Sequence, residues 1–406
     1  MKILHTSDWH IGKMLFNERR YNEFEKFFDW LLQTIKEQEI DLLLVCGDIF
    51  DTGTPGNYAQ ELYFDFLAKV SRTCCKNVII TGGNHDSPSF LEASRKILLP
   101  LNIHVIGSIS DDIQKEIIEI RDSNNNIEVI VCAVPYLRDR DIRNVGNNES
   151  IEDKNLRLIE GIKQHYSILT EKINQIRNNN KDYYIPVVFT GHLFTAGGKT
   201  IDGDGVRELY VGTITHVDSN VFPESIDYTA LGHLHVCQKV GKRQNIRYSG
   251  SPLPMGFGEI SESKKVIIIE MQNNETIINE FDIPWFQKLE KIVGDINFIT
   301  EKLEFIVKEQ NDSWVEIEYN GDDIIEGLNF IVNEIVKDSN VKVLRINNKK
   351  VLNMVFNTNE TEIKLEELTP DEVFDNCLEV NNISEEQKKT FRLLFNDVYK
   401  KVLDSE

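Results

Sequence analysis

Five short apolar runs within the first 235 residues each end in a polar, mostly glycine-marked signature, and this repetition limits the folds open to the chain. Ile3-Leu4 leads into Asp8-Trp9-His10, Leu42-Leu43-Leu44-Val45 into Gly47-Asp48, and Val78-Ile79-Ile80 into Gly83-Asn84-His85-Asp86. Val187-Val188-Phe189 leads into Gly191-His192, and Tyr228-Thr229-Ala230-Leu231 into Gly232-His233-Leu234-His235. Short apolar runs bounded by glycine and polar residues read as buried strands. In open α/β sheets ligands sit at the carboxyl ends of strands, so five strand ends can build one site.

The residue types suit a pair of divalent metals. Carboxylate, imidazole and one amide oxygen serve manganese, iron or zinc, and no cysteine takes part. Asp8 and His10 are two apart, so in an extended segment they face the same way, as do His233 and His235. Asp48 can bridge two ions with its two oxygens. Two metals about 3.5 to 4 Å apart clamp the attacking and leaving oxygens of an in-line phosphoryl displacement, which is the chemistry of phosphoester hydrolysis. Taken singly, a buried His is usually a hydrogen-bonded core residue, and Gly-Asp at a strand end is often only a turn. Taken together, five of the nine His occupy these positions. His5, His104, His165 and His216 are read as structural or surface residues.

In this order the signatures resemble the calcineurin-like metallophosphoesterases. Within them, Thr6-Ser7-Asp8-Trp9-His10-Ile11-Gly12-Lys13, Gly47-Asp48-Ile49-Phe50-Asp51-Thr52-Gly53, Ala230-Leu231-Gly232-His233-Leu234-His235 and Tyr248-Ser249-Gly250-Ser251-Pro252-Leu253-Pro254 resemble the SbcD nucleases. These are bacterial counterparts of the nucleases that process DNA double-strand breaks in archaea and eukaryotes. The likeness runs through about Glu259 and thins beyond it. Thr52-Gly53 and Asp86 stand where protein phosphatases of the superfamily carry Arg and Glu.

The resemblance implies two divalent ions, manganese foremost. It puts Asp8, His10, Asp48 and His235 on the first ion, and Asp48, Asn84, His192 and His233 on the second. His85 then binds no metal and faces the scissile phosphate, where it stabilises the transition state and protonates the leaving sugar oxygen, with Asp86 as a candidate orienting partner. Archaeal and eukaryotic relatives carry a second His where this chain has Asp51. That residue either holds His85 or a motif loop, or caps a turn.

Composition bounds the rest. The 406 residues are 41% hydrophobic, which supplies a core, and no apolar stretch approaches a membrane span. Ligand candidates as early as positions 8 and 10 leave no room for a signal peptide, and the chain is expected in the cytoplasm. Six Cys at irregular spacing give neither a disulfide framework nor a zinc site. The formal charge of -21 opposes binding of a phosphate backbone. Grip on DNA must then come from local patches, the metal ions, dimerisation or a basic partner. Arg138, Arg140 and Arg143 form one candidate patch, although alternation with Asp139 and Asp141 also reads as a self-paired loop. Lys239, Lys242, Arg243 and Arg247 form another. Trp9, Phe16 and Arg19-Arg20 are candidates for touching a DNA end at the mouth of the site. The polar stretch from Gly197 to Val206 reads either as a gate or as filler.

The fold class is α/β: a metallophosphoesterase β-sandwich flanked by helices over residues 1–284, with helices such as Asn22 to Lys36 and Asn155 to Arg177. Met271 to Thr276 reads as a hairpin turn. Residues 285–347 read as a small α+β unit, which the resemblance makes a capping domain. It contains a helix with Ile299, Leu303 and Ile306, a strand Trp314 to Tyr319, a helix carrying Ile324, Ile325, Leu328, Ile331, Val332 and Ile335, and a strand Val341 to Ile346. Residues 348–368 read as a linker and 369–406 as C-terminal helices with clear capping signals at Thr369-Pro370 and Ser384 to Gln387. The last helix puts Phe391, Leu394, Phe395, Val398 and Val402 on one face. That face either docks on the same chain or, as the resemblance implies, binds the coiled-coil base of an SbcC-like ATPase.

The sequence-level reading is thus a metal-dependent DNA nuclease with 3′ to 5′ exonuclease and endonuclease activity. It is the catalytic subunit of an SbcC-SbcD type complex in DNA repair and recombination, homodimeric within a heterotetramer. The alternatives are another calcineurin-like phosphoesterase acting on a phosphoprotein or cyclic nucleotide, and a mainly DNA-end-tethering subunit. The chain lacks a Gly-x-x-x-x-Gly-Lys-Ser/Thr loop, so no nucleotide site is expected and any ATP dependence comes from another subunit.

Overall fold

The computed structural model describes residues 1–142, 151–195, 217–272, 274–310, 312–321, 325 and 327–348, with the single positions Phe374, Leu378, Lys388, Arg392 and Phe395. It divides into two compact units, Met1–Lys288 and Leu289–Glu406.

The first unit opens with β1 (Lys2–Thr6), a short hairpin of β2 (Met14–Leu15) and β3 (Glu18–Arg19), β4 (Leu42–Cys46), β5 (Asn77–Thr81) and β6 (Ile103–Ile106). It continues through β7 (Ile117–Arg121), β8 (Ile127–Cys132), β9 (Val187–His192) and β10 (Tyr228–Gly232). β11 (Gln238–Val240), β12 (Arg243–Tyr248), β13 (Lys265–Gln272) and β14 (Glu275–Asp282) complete it. The described strands form two six-stranded sheets, ordered β14-β13-β1-β4-β5-β6 and β11-β12-β10-β9-β8-β7. The first has a parallel core of β1, β4, β5 and β6, and the second a parallel core of β12, β10, β9 and β8. Antiparallel strands flank both edges of the second core and the β1 side of the first, where β6 is the other edge. The β13–β14 hairpin is in register out to Gln272 and Glu275, so its turn falls inside the expected stretch.

The apolar runs are continuous because the inner strands are buried on both faces. On β4, Leu42, Leu44 and Cys46 pack with Val129, Val131, Val188 and Ala230 of the other sheet, whereas Leu43 and Val45 pack toward the helices. Helix α1 (Tyr21–Glu37) supplies Phe24, Phe27, Phe28, Leu31 and Ile35 at helical spacing, and α2 (Asn57–Val70) adds Tyr63, Phe66 and Leu67. Across the second sheet, the long helix Ile151–Asn179 buries Leu158, Ile162, Tyr166, Leu169 and Ile173. The result is a helix–sheet–sheet–helix sandwich whose parallel strands all deliver their carboxyl ends to one rim.

Two expected surface residues belong to this core instead. Trp9 is fully buried, with Phe27, Phe28 and Phe66 edge-on to it, because its indole fills the angle between the first strand and two helices. Arg20 is 1% exposed and binds both oxygens of Glu23 at 2.7 Å and the Pro254 carbonyl. Neither side chain is offered at the surface. Phe16 is exposed and stacks on Phe257.

The second unit has β15 (Lys288–Gly294), a helix Ile296–Lys308, β16 (Ser313–Tyr319), a helix Leu328–Val336 and β17 (Lys342–Asn348). Its sheet runs β15-β16-β17 over a core that includes Ile292, Ile299, Leu303, Ile306, Val315, Ile317 and Val332. β15 is an element that the sequence reading lacked. The second helix begins only at Leu328, since Gly327 at φ 74 precedes it, and Ile325 lies outside it. Ile324, the linker from 349 on, Phe391, Leu394, Val398 and Val402 lie outside the described residues. Phe395 is described, its ring stacked on Phe374 with centroids 4.2 Å apart. Among the described residues no helix is long and apolar enough to cross a membrane.

Candidate metal centre

The rim gathers the signatures into one buried cluster. Past the ends of β1 and β4 the two chains stay paired, with Asp8 N–H donating to Gly47 O at 3.0 Å and His10 N–H to Asp48 O at 2.9 Å. This pairing is not extended: Asp8, His10 and Asp48 adopt φ of 51, 46 and 49°, and His233 follows at 103°. Asp8 and His10 therefore share a side through left-handed kinks, rather than through the strand alternation that the spacing suggests. Such backbone is costly in non-glycine residues, of order 1 to 3 kcal/mol each, and persists where its surroundings over-determine it.

The glycines of the signatures answer to close approach. A Cβ on Gly47 would lie 2.1 Å from His192 Nδ1, and one on Gly83 would lie 2.1 Å from Asp48 Oδ1.

Asp48 Oδ2 sits 3.6 Å from His10 Nε2 and 3.3 Å from His192 Nε2, while its Oδ1 accepts the His85 backbone N–H at 2.9 Å. On one side, His10 Nε2 and His235 Nε2 converge at 3.2 Å, and Asp8, His10 and His235 form one close group. On the other, His192 Nε2 meets Asn84 Oδ1 at 2.9 Å, with Asp8, Asp48 and His192 forming a second group. The His233 ring lies 5.5 Å from that of His192, and its backbone N–H donates to Asp8 Oδ1 at 2.8 Å. His192 Nδ1–H donates to the Cys46 carbonyl at 3.1 Å, which turns Nε2 into the cluster.

The buried groups of the cluster perturb one another strongly. Burial pushes Asp8 up, whereas for Asp48 the imidazoles of His192, His10 and His85 outweigh burial and hold the carboxyl well below its usual range. His192 is raised to about 9 because Asp48 and Asp8 outweigh its own desolvation, and His233 is driven well below its usual value by burial and by His192. Two buried carboxylates with four inward imidazoles and an amide oxygen form a donor set that fits two divalent ions sharing Asp48.

His85, 8% exposed, stands edge-on to His10 at 4.7 Å between centroids. Its Nδ1–H donates to the Asp51 carbonyl oxygen at 2.7 Å. Asp51 thus does hold His85, but through its backbone. The candidate orienting partner Asp86 is bonded to main chain. Its carboxylate accepts the backbone N–H groups of Gly83 at 2.8 Å, Phe50 at 3.0 Å and Ile49 at 3.1 Å, clamping the second and third signatures together. Burial and the charge of Asp48 push it up to about 6.

The basic candidates are less concentrated than expected. Arg138 donates to the Asp86 carbonyl at 3.0 Å and lies over Tyr136, and Arg243 donates to the carbonyls of Phe222 and Pro223. Arg247 pairs with Glu280, and exposed Arg140 pairs with its neighbour Asp141 at 3.3 Å, as the self-paired reading has it. Lys239 is exposed on β11. Arg143 and the stretch from Gly197 to Val206 lie outside the described residues. Sequence reasoning missed Glu259 and Lys264, which are buried against His235. They belong to no local signature, and only the fold brings them there.

A two-sheet sandwich with a carboxylate-and-imidazole cluster on its rim defines the metallophosphoesterase class. The calcineurin-like phosphoesterase family model matches residues 1–237, and the model described as type 5 capsule protein repressor C-terminal domain matches residues 285–382. The SbcD component of the SbcCD nuclease from Escherichia coli K12 is 32% identical over 398 residues, 97% of each chain. Its counterpart of the same name from Bacillus subtilis is 30% identical over 276 residues, covering 68% of this chain and 67% of that one. A solved dimetal phosphatase from Danio rerio is 12% identical, covers 70% of this chain and 99% of its own, and has a TM-score of 0.39. The chain belongs to the SbcD nuclease family of calcineurin-like phosphoesterases.

Proposed function

We propose that this chain is a two-metal DNA nuclease subunit that hydrolyses phosphodiesters at DNA ends or hairpins, as a 3′ to 5′ exonuclease and an endonuclease. The observation that carries the reading is the position of Asp48 Oδ2, facing His10 on one side and His192 on the other. Asp8, His10, Asp48 and His235 would hold the first ion, and Asp48, Asn84, His192 and His233 the second, with manganese as the metal. Bound there, two divalent ions supply the charge that polarises a phosphate and eases deprotonation of the attacking water.

The chain's own groups do the rest. The Asp51 carbonyl fixes the His85 Nδ1 proton and so leaves Nε2 as the atom that exchanges a proton with substrate. A protonated His85 delivers that proton to the leaving sugar oxygen. Asp86 holds the loops that carry Asp48 and His85 in register.

The partner reading rests on the names of the relatives, which are components of an SbcCD nuclease. Residues 285–347 act as a cap, and the C-terminal face with Phe391, Leu394, Phe395, Val398 and Val402 docks on an SbcC-like coiled-coil ATPase, two copies of each forming a cytoplasmic heterotetramer.

Digestion of end-labelled duplex and single-stranded DNA with manganese tests the activity, against chelator and Asp48→Asn controls. Chelator-sensitive shortening from the 3′ end, lost in the variant, is expected. Turnover of a small phosphoester with no DNA cleavage, alone or with the ATPase partner, would overturn the nuclease reading.

A further inference from the structure

Four imidazoles of the cluster are backed at Nδ1, but not by the same kind of group. For His192 and His85 the acceptor is a backbone carbonyl. Behind the two rings that converge through their Nε2 atoms stands a carboxylate, at ion-pair distance. His10 Nδ1 faces Asp51 Oδ1 at 3.4 Å, and His235 Nδ1 faces Glu259 Oε1 at 3.7 Å. Each carboxylate is in turn anchored by a lysine. Lys13 Nζ lies 3.2 Å from Asp51 Oδ1, and Lys264 Nζ bonds Glu259 Oε2. Lys264 also donates to the His235 carbonyl at 2.9 Å and to Ser251 Oγ at 3.0 Å, so it fastens the backbone of the ring it serves.

Three of the facing atoms, His10 Nδ1, Asp51 Oδ1 and Glu259 Oε1, are buried without a well-formed hydrogen bond. Buried polar atoms in that state call for an explanation. A lysine buried as deeply as Lys264 beside a buried glutamate is also costly to retain for stability alone, since apolar residues of similar volume often replace such pairs without loss. Orientation of a ligand explains both facts, because a carboxylate behind an imidazole fixes which nitrogen carries the proton and sharpens the donor strength of the other.

We propose that Lys13–Asp51 and Lys264–Glu259 are positioning pairs that hold His10 and His235 with the proton on Nδ1, so that both rings present a bare Nε2 to the first ion. The inference rests on the two-ion reading above. It assigns Asp51, Glu259 and the two lysines a task in metal affinity and none in contact with DNA. It also makes the first ion's site one tuned by charged residues, whereas His192, on the second, is backed by the Cys46 carbonyl.

The test uses the full chain in two arms. Manganese titration by calorimetry compares the wild type with Asp51→Asn and with the double variant Glu259→Gln plus Lys264→Met, which removes the buried pair whole and leaves no lone charge. The wild type is expected to bind two ions, and each variant to bind one of them about 10- to 100-fold more weakly with the other unchanged. In the second arm, long-range 1H–15N spectra of the metal-free chain are expected to show His10 and His235 protonated at Nδ1, with the corresponding ring losing that preference in each variant. Wild-type affinities and unchanged tautomers in folded variants would overturn the proposal. Should the double variant not fold, Asp51→Asn decides alone, since Asp51 is one-fifth exposed. A wild type that binds no manganese would overturn the metal reading and with it the task assigned to the pairs, whereas two ions bound equally well by wild type and variants would overturn the pairs alone.

Discussion

The His85 backbone N–H donates to Asp48 Oδ1 at 2.9 Å, so the carboxylate that faces two imidazoles with one oxygen fixes the third signature with the other. Contact with both imidazoles and placement of the loop are thereby joined in one residue. Asp48→Asn keeps an acceptor for His85 N–H but loses the charge that both ion sites share. The variant is expected to fold, to retain less than a tenth of the wild-type metal after gel filtration, and to lose at least a thousandfold in hydrolysis. Elemental analysis beside circular dichroism checks both parts.

His85→Ala separates chemistry from metal binding. His85 is tied to the Asp51 carbonyl and stands beside His10, outside the proposed ligand sets. Loss of a positioned acid typically costs about 100- to 10,000-fold, and that loss is expected with two ions still bound. Departure of an ion from this variant would show His85 to be a ligand.

Gly83→Ala tests the packing of the site. The added methyl would stand 2.1 Å from Asp48 Oδ1, so either the carboxylate or the loop must shift. We expect the variant to keep its secondary structure and lose metal affinity by more than tenfold, a change that calorimetry reads directly. Unaltered affinity would mean that the loop gives way without moving Asp48.

His5 gives a pH dependence separate from the cluster. It is fully buried between the sheets with Nδ1 at 2.9 Å from Tyr228 Oη, and burial lowers it to about 3. The unfolded chain takes up a proton below its ordinary value of 6.5, which the folded chain refuses until about pH 3. Stability is therefore lost as pH falls through that window, by up to ~5 kcal/mol from this residue. Urea unfolding at stepped pH is expected to show a shallower acid loss in His5→Asn, and parallel curves would contradict the assignment.

Much of this was legible in the sequence because the strands announce themselves twice, by apolar runs and by the signatures that end them. Asp48, His192 and His235 could be named without coordinates for that reason. What was not legible depended on backbone detours or on distant chain. The left-handed kinks at Asp8 and His10 leave no trace in spacing. Trp9, adjacent to a ligand candidate, gave no sign that two helices would enclose it. Asp86 follows His85 directly, yet its oxygens turn to three backbone N–H groups, a choice set by loop geometry. Glu259 and Lys264 reach His235 only through the path of the chain after β12. Strand β15 was missed because its buried residues, Leu289 and Ile292, are three apart and do not alternate as strand residues should.

The most direct test of the two-ion centre is anomalous diffraction at the manganese edge from crystals of the full chain grown with that metal. Two peaks about 3.5 to 4 Å apart, both touching the Asp48 carboxylate, one beside His10 and His235 and the other beside Asn84, His192 and His233, are the predicted result. A single peak, or a pair that leaves Asp48 untouched, would contradict it.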